Sequence, residues 1–439
     1  MKALILSAGE GTRMRPLTLT KPKTMLPVAG KPIIQYNIEA LRECGVKDIL
    51  LIVGYKEEMV KNYFDDGSKF GVNISYATQT KLEGTANAIS YGKDFIEDSL
   101  ITLNGDIILD EEILREIIED YEESGADTLM VLTEVEDPSA FGVVELDGEK
   151  ITNIVEKPKK EEAPSNLVNT GIYIFNKDIF DKIDKTKVSP RGEYEITDSL
   201  SLQIEDGKFV KGHKTEKEWM DIGKPWELIE INESLLNNIK GEIKGTVEEG
   251  ATLHGEVFLD EGSLIRSGVY IKGPVYIGKD CDIGPNSYIR GNSYFGDDVH
   301  IGNAVEIKNS IIMENTNVSH LSYVGDSILG SNCNIAAGTN IANLRFDNKT
   351  VKFNIKNKKV DTGRRKLGAI VGDGVKTGIN SSLSPGVTIG TRATIGSGVL
   401  LYDDLPSDMR VLLKQEHIIQ NKKENGQIRL EEVEEDMNK

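Results

Sequence analysis

The chain has 439 residues, 28% of them charged and 38% hydrophobic, and a formal net charge of −19. That length predicts two or three domains rather than one core, and the negative charge argues against nucleic acid or an anionic membrane surface as a partner. Three cysteines, Cys44, Cys281 and Cys333, show no ligand spacing, so neither a disulfide framework nor a zinc site is expected, and a reducing, cytoplasmic setting is.

The first residues read as a strand and a loop, not as a signal peptide, and no apolar run of transmembrane length follows. Ala3–Leu6 is an apolar run that predicts a short buried strand. It breaks into Gly9-Glu-Gly11-Thr12-Arg13, where glycines let the backbone turn and present N–H groups to an anion. Arg13, Lys21 and Lys23 add positive charge within the same segment. Such a cluster in an acidic chain predicts phosphate binding, although a strand-to-helix turn with surface bases fits the glycine spacing equally well. A dinucleotide fingerprint is excluded, because Met14 stands where its third glycine would be, and the Gly-Lys-Ser/Thr of a P-loop is absent.

Further strands are predicted at Asp48–Val53, Ser99–Leu103, Thr128–Leu132, Phe141–Leu146 and Gly171–Phe175, with helices at Ile33–Cys44 and Glu111–Glu123 between them. This alternation predicts an α/β three-layer domain over residues 1–225, Rossmann-like, with a mostly parallel sheet and its ligand at the carboxyl ends of the strands. Asn104-Gly105-Asp106 follows one predicted strand, so Asp106 falls at the same edge as the opening loop. A carboxylate beside a triphosphate suits Mg²⁺; ordinary turn chemistry is the alternative.

Pro225 to about Asn238 is amphipathic and begins with proline, which predicts a short helix inside a connector over 226–245. From 246 to 405 apolar residues recur every sixth position, at Ile271, Ile277, Ile283, Ile289, Phe295, Ile301 and Ile307. After a slip the period returns at Ile312, Val318 and Val324, and again at Leu383, Ile389 and Ile395. A sustained hexad predicts a parallel β-helix in which each hexad forms one face of a triangular coil. Residues 344–365 interrupt it, and the alternation of Val351, Phe353 and Ile355 predicts a protruding hairpin at a ligand or partner site. The tail, 406–439, carries an apolar patch that includes Ile418 and Ile419 and then turns acidic; a clasp between subunits and a solvated end are both open.

The opening stretch, through Lys-Pro-Lys-Thr-Met-Leu-Pro27, resembles the signature of the sugar-1-phosphate nucleotidylyltransferases. The resemblance implies that Leu6, Ala8, Gly9, Gly11 and Thr12 wrap a nucleoside triphosphate, with Arg13 and Lys23 on its phosphates as the catalytic cations. It makes Asp106 a Mg²⁺ ligand. Trp219-Met-Asp221-Ile-Gly223-Lys-Pro225 resembles the segment that carries the second carboxylate, so Asp221 is the partner, with Lys224 in place of the usual threonine. Gln79, Gly84 and Thr85 resemble the base-recognition segment. Gly142, Glu156, Lys157 and Asn169 resemble the sugar-phosphate side, where Lys157 holds phosphate and Glu156 and Asn169 hold hydroxyls. An exposed ion pair is the plain alternative for Glu156 and Lys157. The sugar phosphate is already an anion at neutral pH, so the transfer needs alignment and charge neutralisation rather than a general base.

The hexads resemble the left-handed β-helix acyltransferases, usually homotrimers. The run around His320, with Arg290, Lys308, Tyr323, Asn334 and Asn343, resembles the acetyltransferase domain of the bifunctional enzymes that make UDP-N-acetylglucosamine. That implies His320 as general base on glucosamine-1-phosphate, acetyl-CoA as co-substrate, Arg290 and Lys308 on the sugar phosphate, and Tyr323, Asn334 and Asn343 positioning sugar and thioester. Lys366 closes the site after the insert. Leu344 departs from the bacterial pattern, which has tyrosine there, and the insert is a second departure. The full expectation is acetyl transfer followed by nucleotidyl transfer, UTP favoured. The alternatives are a nucleotidylyltransferase whose β-helix only oligomerises or regulates, and a non-catalytic scaffold, against which the intact Arg13, Lys23, Asp106 and Asp221 speak.

Overall fold

The computed structural model describes residues 1–417. Its first half is built on a nine-stranded mixed sheet. The elements run β1 (Lys2–Ser7), α1 (Ile33–Glu43), β2 (Asp48–Val53), α2 (Glu57–Phe64), β3 (Asn73–Thr78), α3 (Thr85–Ser90), β4 (Ser99–Asn104), β5 (Ile107–Leu109) and α4 (Glu111–Ser124). They continue with β6 (Thr128–Glu134), β7 (Gly142–Asp147), β8 (Lys150–Glu156), β9 (Leu167–Asn176), α5 (Ile179–Ile183), α6 (Ile196–Glu205), β10 (Val210–Lys214) and β11 (Trp219–Asp221). The strand order is β3-β2-β1-β4-β9-β6-β10-β8-β7.

Ala3, Leu4 and Ile5 are fully buried on both faces of β1, as a strand between two layers of helices must be. The chain steps outward from β1 to β2 and β3, all parallel, then returns to β4 on the other side of β1. That reversal is the switch point at which open α/β sheets bind their ligands. Beyond β4 the sheet loses its parallel character, because β9 runs antiparallel between β4 and β6. Gly105 joins the two edges of the switch point: its N–H donates to the Leu6 carbonyl at 2.8 Å, and a Cβ there would lie 2.4 Å from that oxygen.

The connector is one helix, α7 (Glu227–Asn237), cemented rather than free. Asn232 is fully buried; it accepts from the Ala29 N–H at 3.0 Å and donates to the Asn292 carbonyl at 2.9 Å. After it the chain forms a left-handed parallel β-helix of three faces, with eight, nine and eight strands. Its core is a column of fully buried residues such as Ile271, Ile277, Ile283, Ile289 and Phe295. Pairing continues to Arg410–Val411, so the expected start of the tail at 406 lies within the last coil; Ile418 and Ile419 lie outside the described residues.

Corners of the β-helix take positive φ, at Asp280, Asn286, Asn292, Asp298 and Ala304, six residues apart. The next steps are shorter: 304 to 309, and 321 to 326, are five. Each removes one residue from a coil, so Ile307 pairs with Val324 at an offset of 17 where Ile289 pairs with Ile307 at 18. The first of these short corners is the slip seen in the sequence between Ile307 and Ile312; the second was not read there.

The insert does form an antiparallel hairpin, Lys352–Ile355 with Lys358–Asp361, but it does not protrude. Val351 and Phe353 are each 1% exposed and lie in an apolar cluster with Trp226, Ile229 and Leu367. Arg364 reaches Glu230 of α7 at 2.9 Å. Burial of two large side chains outweighs exposure of a polar hairpin, so the insert braces the junction between the halves. The first face of the β-helix completes that junction through Tyr294, Ile311, Met313, Ile328 and Ile370, packed on Met14, Leu17 and Leu26. Among the described residues no helix is long and apolar enough to cross a membrane.

Candidate active sites

Two cavities meet at the carboxyl edge of β1 and β4. One, of about 400 Å³, is lined by Leu6, Ala8, Gly9, Gly11, Thr12, Arg13, Lys23, Gln79, Gly84, Thr85 and Asp106. The other, of about 220 Å³, is lined by Arg13, Asp106, Gly142, Glu156, Lys157, Asn169 and Asp221. Arg13, Thr85, Asn104, Asp106 and Glu193 belong to both. The residues expected on nucleotide and on sugar thus fall into two adjoining recesses with a cation, Arg13, and two carboxylates, Asp106 and Glu193, at the seam.

Gly11 has φ +60, and a Cβ there would lie 2.9 Å from the Lys23 Cβ, so the loop closes onto Lys23 only with glycine at this place. Lys23 is buried and its Nζ donates to Asp106 Oδ2 at 2.5 Å. Asp221 is brought to the same recess by β11, which pairs with β5 immediately after Asp106, Asp221 opposite Ile107. Burial and the Asp106 charge push its carboxyl up to about 6, against the opposing pull of Lys23. Two carboxylates crowded together, one of them reluctant to ionise, form a donor set that fits a divalent cation whose other ligands are phosphate oxygens and water. Among the described residues no group of three or more His, Cys, Asp or Glu offers a self-contained cage.

Lys21 is a correction. The sequence placed it with Arg13 and Lys23 as a phosphate cation, but its Nζ points away from both cavities, donating to Ser331 Oγ at 2.6 Å in the β-helix. Its carboxylate partners lie in the other domain, beyond the reach of local reading.

On the sugar side Glu156 is held from three directions: Lys157 at 3.2 Å, Arg191 at 3.1 Å and the Thr197 hydroxyl at 3.1 Å. Lys157 takes φ +48, a strained backbone for lysine that aims its side chain along the recess. Asn169 donates to the Tyr173 hydroxyl at 2.5 Å and accepts from the Gly171 N–H at 2.9 Å. Burial and the Glu156 charge raise the Glu195 carboxyl. Arg191, Glu193 and Glu195 are not marked by any motif; Arg-Gly-Glu-Tyr-Glu is a charged turn, one cation followed by two carboxylates, that folds against the cavity. The buried Gln79 donates to Asn87 at 2.8 Å, which fixes its amide at the cavity wall.

The second constellation lies on the β-helix faces turned away from the first domain. Asp326, 2% exposed, gathers it: Lys308 donates to both its oxygens at 3.0 and 2.8 Å, Asn309 at 2.9 Å and Asn343 at 2.5 Å. Asn343 also donates to the Tyr323 hydroxyl at 3.1 Å. Arg290 stacks beside Lys308 in register and binds Glu306 at 3.0 Å. Both five-residue corners fall here, ending at Asn309 and Asp326; the shortened turns draw Lys308, Asn309 and Asp326 together. Asp326 is not among the residues expected from the sequence.

His320 is exposed, at the end of a strand paired with Asn303, and Leu321 beside it takes φ +49. Asn334 is exposed on the same face as His320, and Lys366 is exposed after the insert, bridged to Leu344. None of these three shares a side-chain hydrogen bond with the Asp326 cluster among the described residues. One chain therefore presents His320 and Asn334 on one face, and Lys308, Tyr323 and Asn343 on the next.

A nucleotidyl transferase model matches residues 2–238, a GMPPB C-terminal domain model residues 271–377, and a bacterial transferase hexapeptide model, six repeats, residues 368–403. A Bifunctional protein GlmU from Methanocaldococcus jannaschii is 44% identical over 424 residues, 96% of this chain and 100% of that one. A bifunctional sugar-1-phosphate nucleotidylyltransferase/acetyltransferase from Sulfurisphaera tokodaii is 44% identical over 408 residues, 92% of this chain and 98% of that one. Among solved structures, a UDP-glucose pyrophosphorylase complexed with UDP-glucose is 28% identical with a TM-score of 0.50, covering 54% of this chain and 99% of that one.

Proposed function

The chain belongs to the family of bifunctional sugar-1-phosphate nucleotidylyltransferase/acetyltransferases, and from that premise we propose the substrates and the residues of each step. The first site joins UTP to N-acetylglucosamine-1-phosphate and releases pyrophosphate. The second acetylates glucosamine-1-phosphate from acetyl-CoA and so makes the first site's substrate. The observation that carries the reading is the pair of cavities sharing Arg13 and Asp106.

A phosphate oxygen of the sugar phosphate attacks the α-phosphorus of the nucleotide, and the bond to pyrophosphate breaks. Arg13 at the seam neutralises both anions, Lys23 holds the triphosphate, and Lys157 holds the incoming phosphate at the far end. Asp106 and Asp221 would hold Mg²⁺, which when bound withdraws charge from the phosphate oxygens. Alignment supplies the rest, since fixing two reactants in attack geometry is worth several kcal/mol. Gln79, Gly84 and Thr85 border the base.

In the second reaction the amine must lose a proton before it attacks the thioester, and His320, exposed at its corner, takes it. Lys308 and Arg290 bind the sugar phosphate, and Tyr323 and Asn343 orient the sugar. Because His320 and the Lys308 cluster lie on neighbouring faces, a homotrimer packed along those faces completes the site. Pyrophosphate release from UTP and N-acetylglucosamine-1-phosphate, and CoA release from acetyl-CoA and glucosamine-1-phosphate, test the two steps. Lys23→Ala removes the first and His320→Ala the second. A wild-type protein that releases no CoA overturns the acetyl step, and a panel of other nucleotides and sugar phosphates decides base and sugar.

A further inference from the structure

Lys21 lies two residues from Lys23, yet it is 5% exposed and turned into the β-helix. Its Nζ donates to Ser331 Oγ at 2.6 Å and Glu314 Oε1 at 3.3 Å, touches Met313 Sδ at 3.7 Å and lies 3.5 Å from Asp373 Oδ2. Thr20 adds a bond from its hydroxyl to Asp373 Oδ2 at 2.6 Å. On the β-helix side the partners are tied to each other: Ser331 Oγ donates to Glu314 Oε1 at 2.6 Å, and the Ser331 N–H to Asp373 Oδ1 at 2.9 Å. Burial pushes the Glu314 carboxyl up, but Lys21 and Ser331 more than offset it and hold it below its usual range. The cluster is one buried cation between two carboxylates at a domain junction, Asp373 on the inner side and Glu314 partly exposed.

Pro22 separates the two lysines in extended backbone, φ −61 and ψ 149. The ring of Pro22 locks φ between them, so the backbone link is stiff, and anchoring Lys21 in the β-helix restricts where Lys23 starts and points. The loop is pinned elsewhere along the same edge: a Cβ on Gly372 would lie 3.1 Å from Pro16 Cβ, and one on Gly30 would lie 2.5 Å from the Tyr276 ring. The β-helix thus touches the phosphate loop from behind.

We propose that Lys21 is a positioning residue for nucleotidyl transfer: Glu314, Ser331 and Asp373 of the β-helix hold Lys21, and through Pro22 this sets Lys23 against Asp106 and the triphosphate. The inference rests on the nucleotidyl-transfer reading above. It makes the first reaction depend on carboxylates that belong to the other domain and touch no substrate of either reaction.

The test uses the full chain in four forms: wild type, Lys21→Met, Asp373→Asn, and Lys21→Met combined with Glu314→Gln and Asp373→Asn. Wild-type pyrophosphate release is the control, and its failure sinks the parent reading rather than this one. In Lys21→Met, kcat for pyrophosphate release falls about ten- to a hundredfold, the cost of misplacing a catalytic group by about 1 Å, while CoA release stays within about twofold. The triple variant has no unpaired buried charge, so its thermal midpoint recovers towards wild type while its kcat does not. Asp373→Asn leaves Lys21 on Glu314 and Ser331 and reads the same effect, about three- to tenfold in kcat, in a junction that stays folded. Wild-type kcat in Asp373→Asn or the triple variant, or a kcat that follows the midpoint across all forms, overturns the proposal.

Discussion

The ring of Phe353, on the hairpin inserted into the β-helix, meets the ring of Trp226, at the start of the connecting helix, edge to face with centroids 5.3 Å apart. Both side chains are buried. Phe353→Ala leaves a cavity at the junction and costs about 3–5 kcal/mol. Calorimetry should resolve two transitions where the wild type gives one, because the brace that couples the halves is gone. A single transition at the wild-type midpoint would count against the bracing role.

Asp221 gives a pH-dependent prediction whose sign follows from its raised value. Its carboxyl ionises at about 6 in the folded protein against 3.8 for the ordinary group. The folded state therefore carries a cost that is full above pH 6 and vanishes below about 4. Asp221→Asn should stabilise the metal-free protein by about 1–2 kcal/mol at pH 7.5 and leave it unchanged near pH 4. With Mg²⁺ added the order reverses, since only the wild type gains from binding the ion. Thermal midpoints in EDTA and in Mg²⁺ at both pH values check this, and the variant should release no pyrophosphate.

Gly84 precedes α3 with φ +107, and a Cβ there would lie 2.5 Å from the Tyr194 carbonyl oxygen. Gly84→Ala must lift the Ser189–Glu195 turn off the nucleotide cavity or distort the loop. We expect kcat/KM for pyrophosphate release to fall at least about tenfold, a loss of about 1.4 kcal/mol, with CoA release unchanged. Steady-state kinetics with varied UTP measures it.

Asp326 is the acceptor on which Lys308, Asn309 and Asn343 converge. Asp326→Ala frees all three and should lower kcat/KM for CoA release about ten- to a hundredfold, the cost of one or two lost charge-assisted bonds. Pyrophosphate release from N-acetylglucosamine-1-phosphate should not change. A thiol-reactive dye reads the first and a coupled pyrophosphatase with phosphate detection the second.

Much of this was legible because its physics is periodic or local. Hexads announce the coils, since each face must bury one branched side chain per turn. The opening loop shows its glycines, and the residues expected around nucleotide and sugar line the two cavities. Strands β3, β8 and β10 escaped because Asn73, Lys150 and Lys214 leave each with an exposed polar edge, unlike the buried run of β1. The direction of Lys21 was hidden for another reason. Its charge is local information, but its partner Glu314 is 293 residues away, and no window of sequence contains both. The hairpin's alternation was plain, while the face it buries is decided by Trp226, in a different element. Arg191 and Asp326 carry no motif; only the fold shows that each bridges several groups.

The strands on either side of the hairpin pair at an offset of 42, Ile341 with Leu383, where the coils beyond resume at 18, Leu383 with Leu401. The surplus, 42 − 18 = 24, is a whole number of hexads, so the guest segment enters and leaves at equivalent corners without shifting the stack. That place in the coil is a docking port for added sequence: excising 24 residues yields an uninterrupted spindle, and grafting another module there would hang it beside the connecting helix with the ladder above and below still in phase.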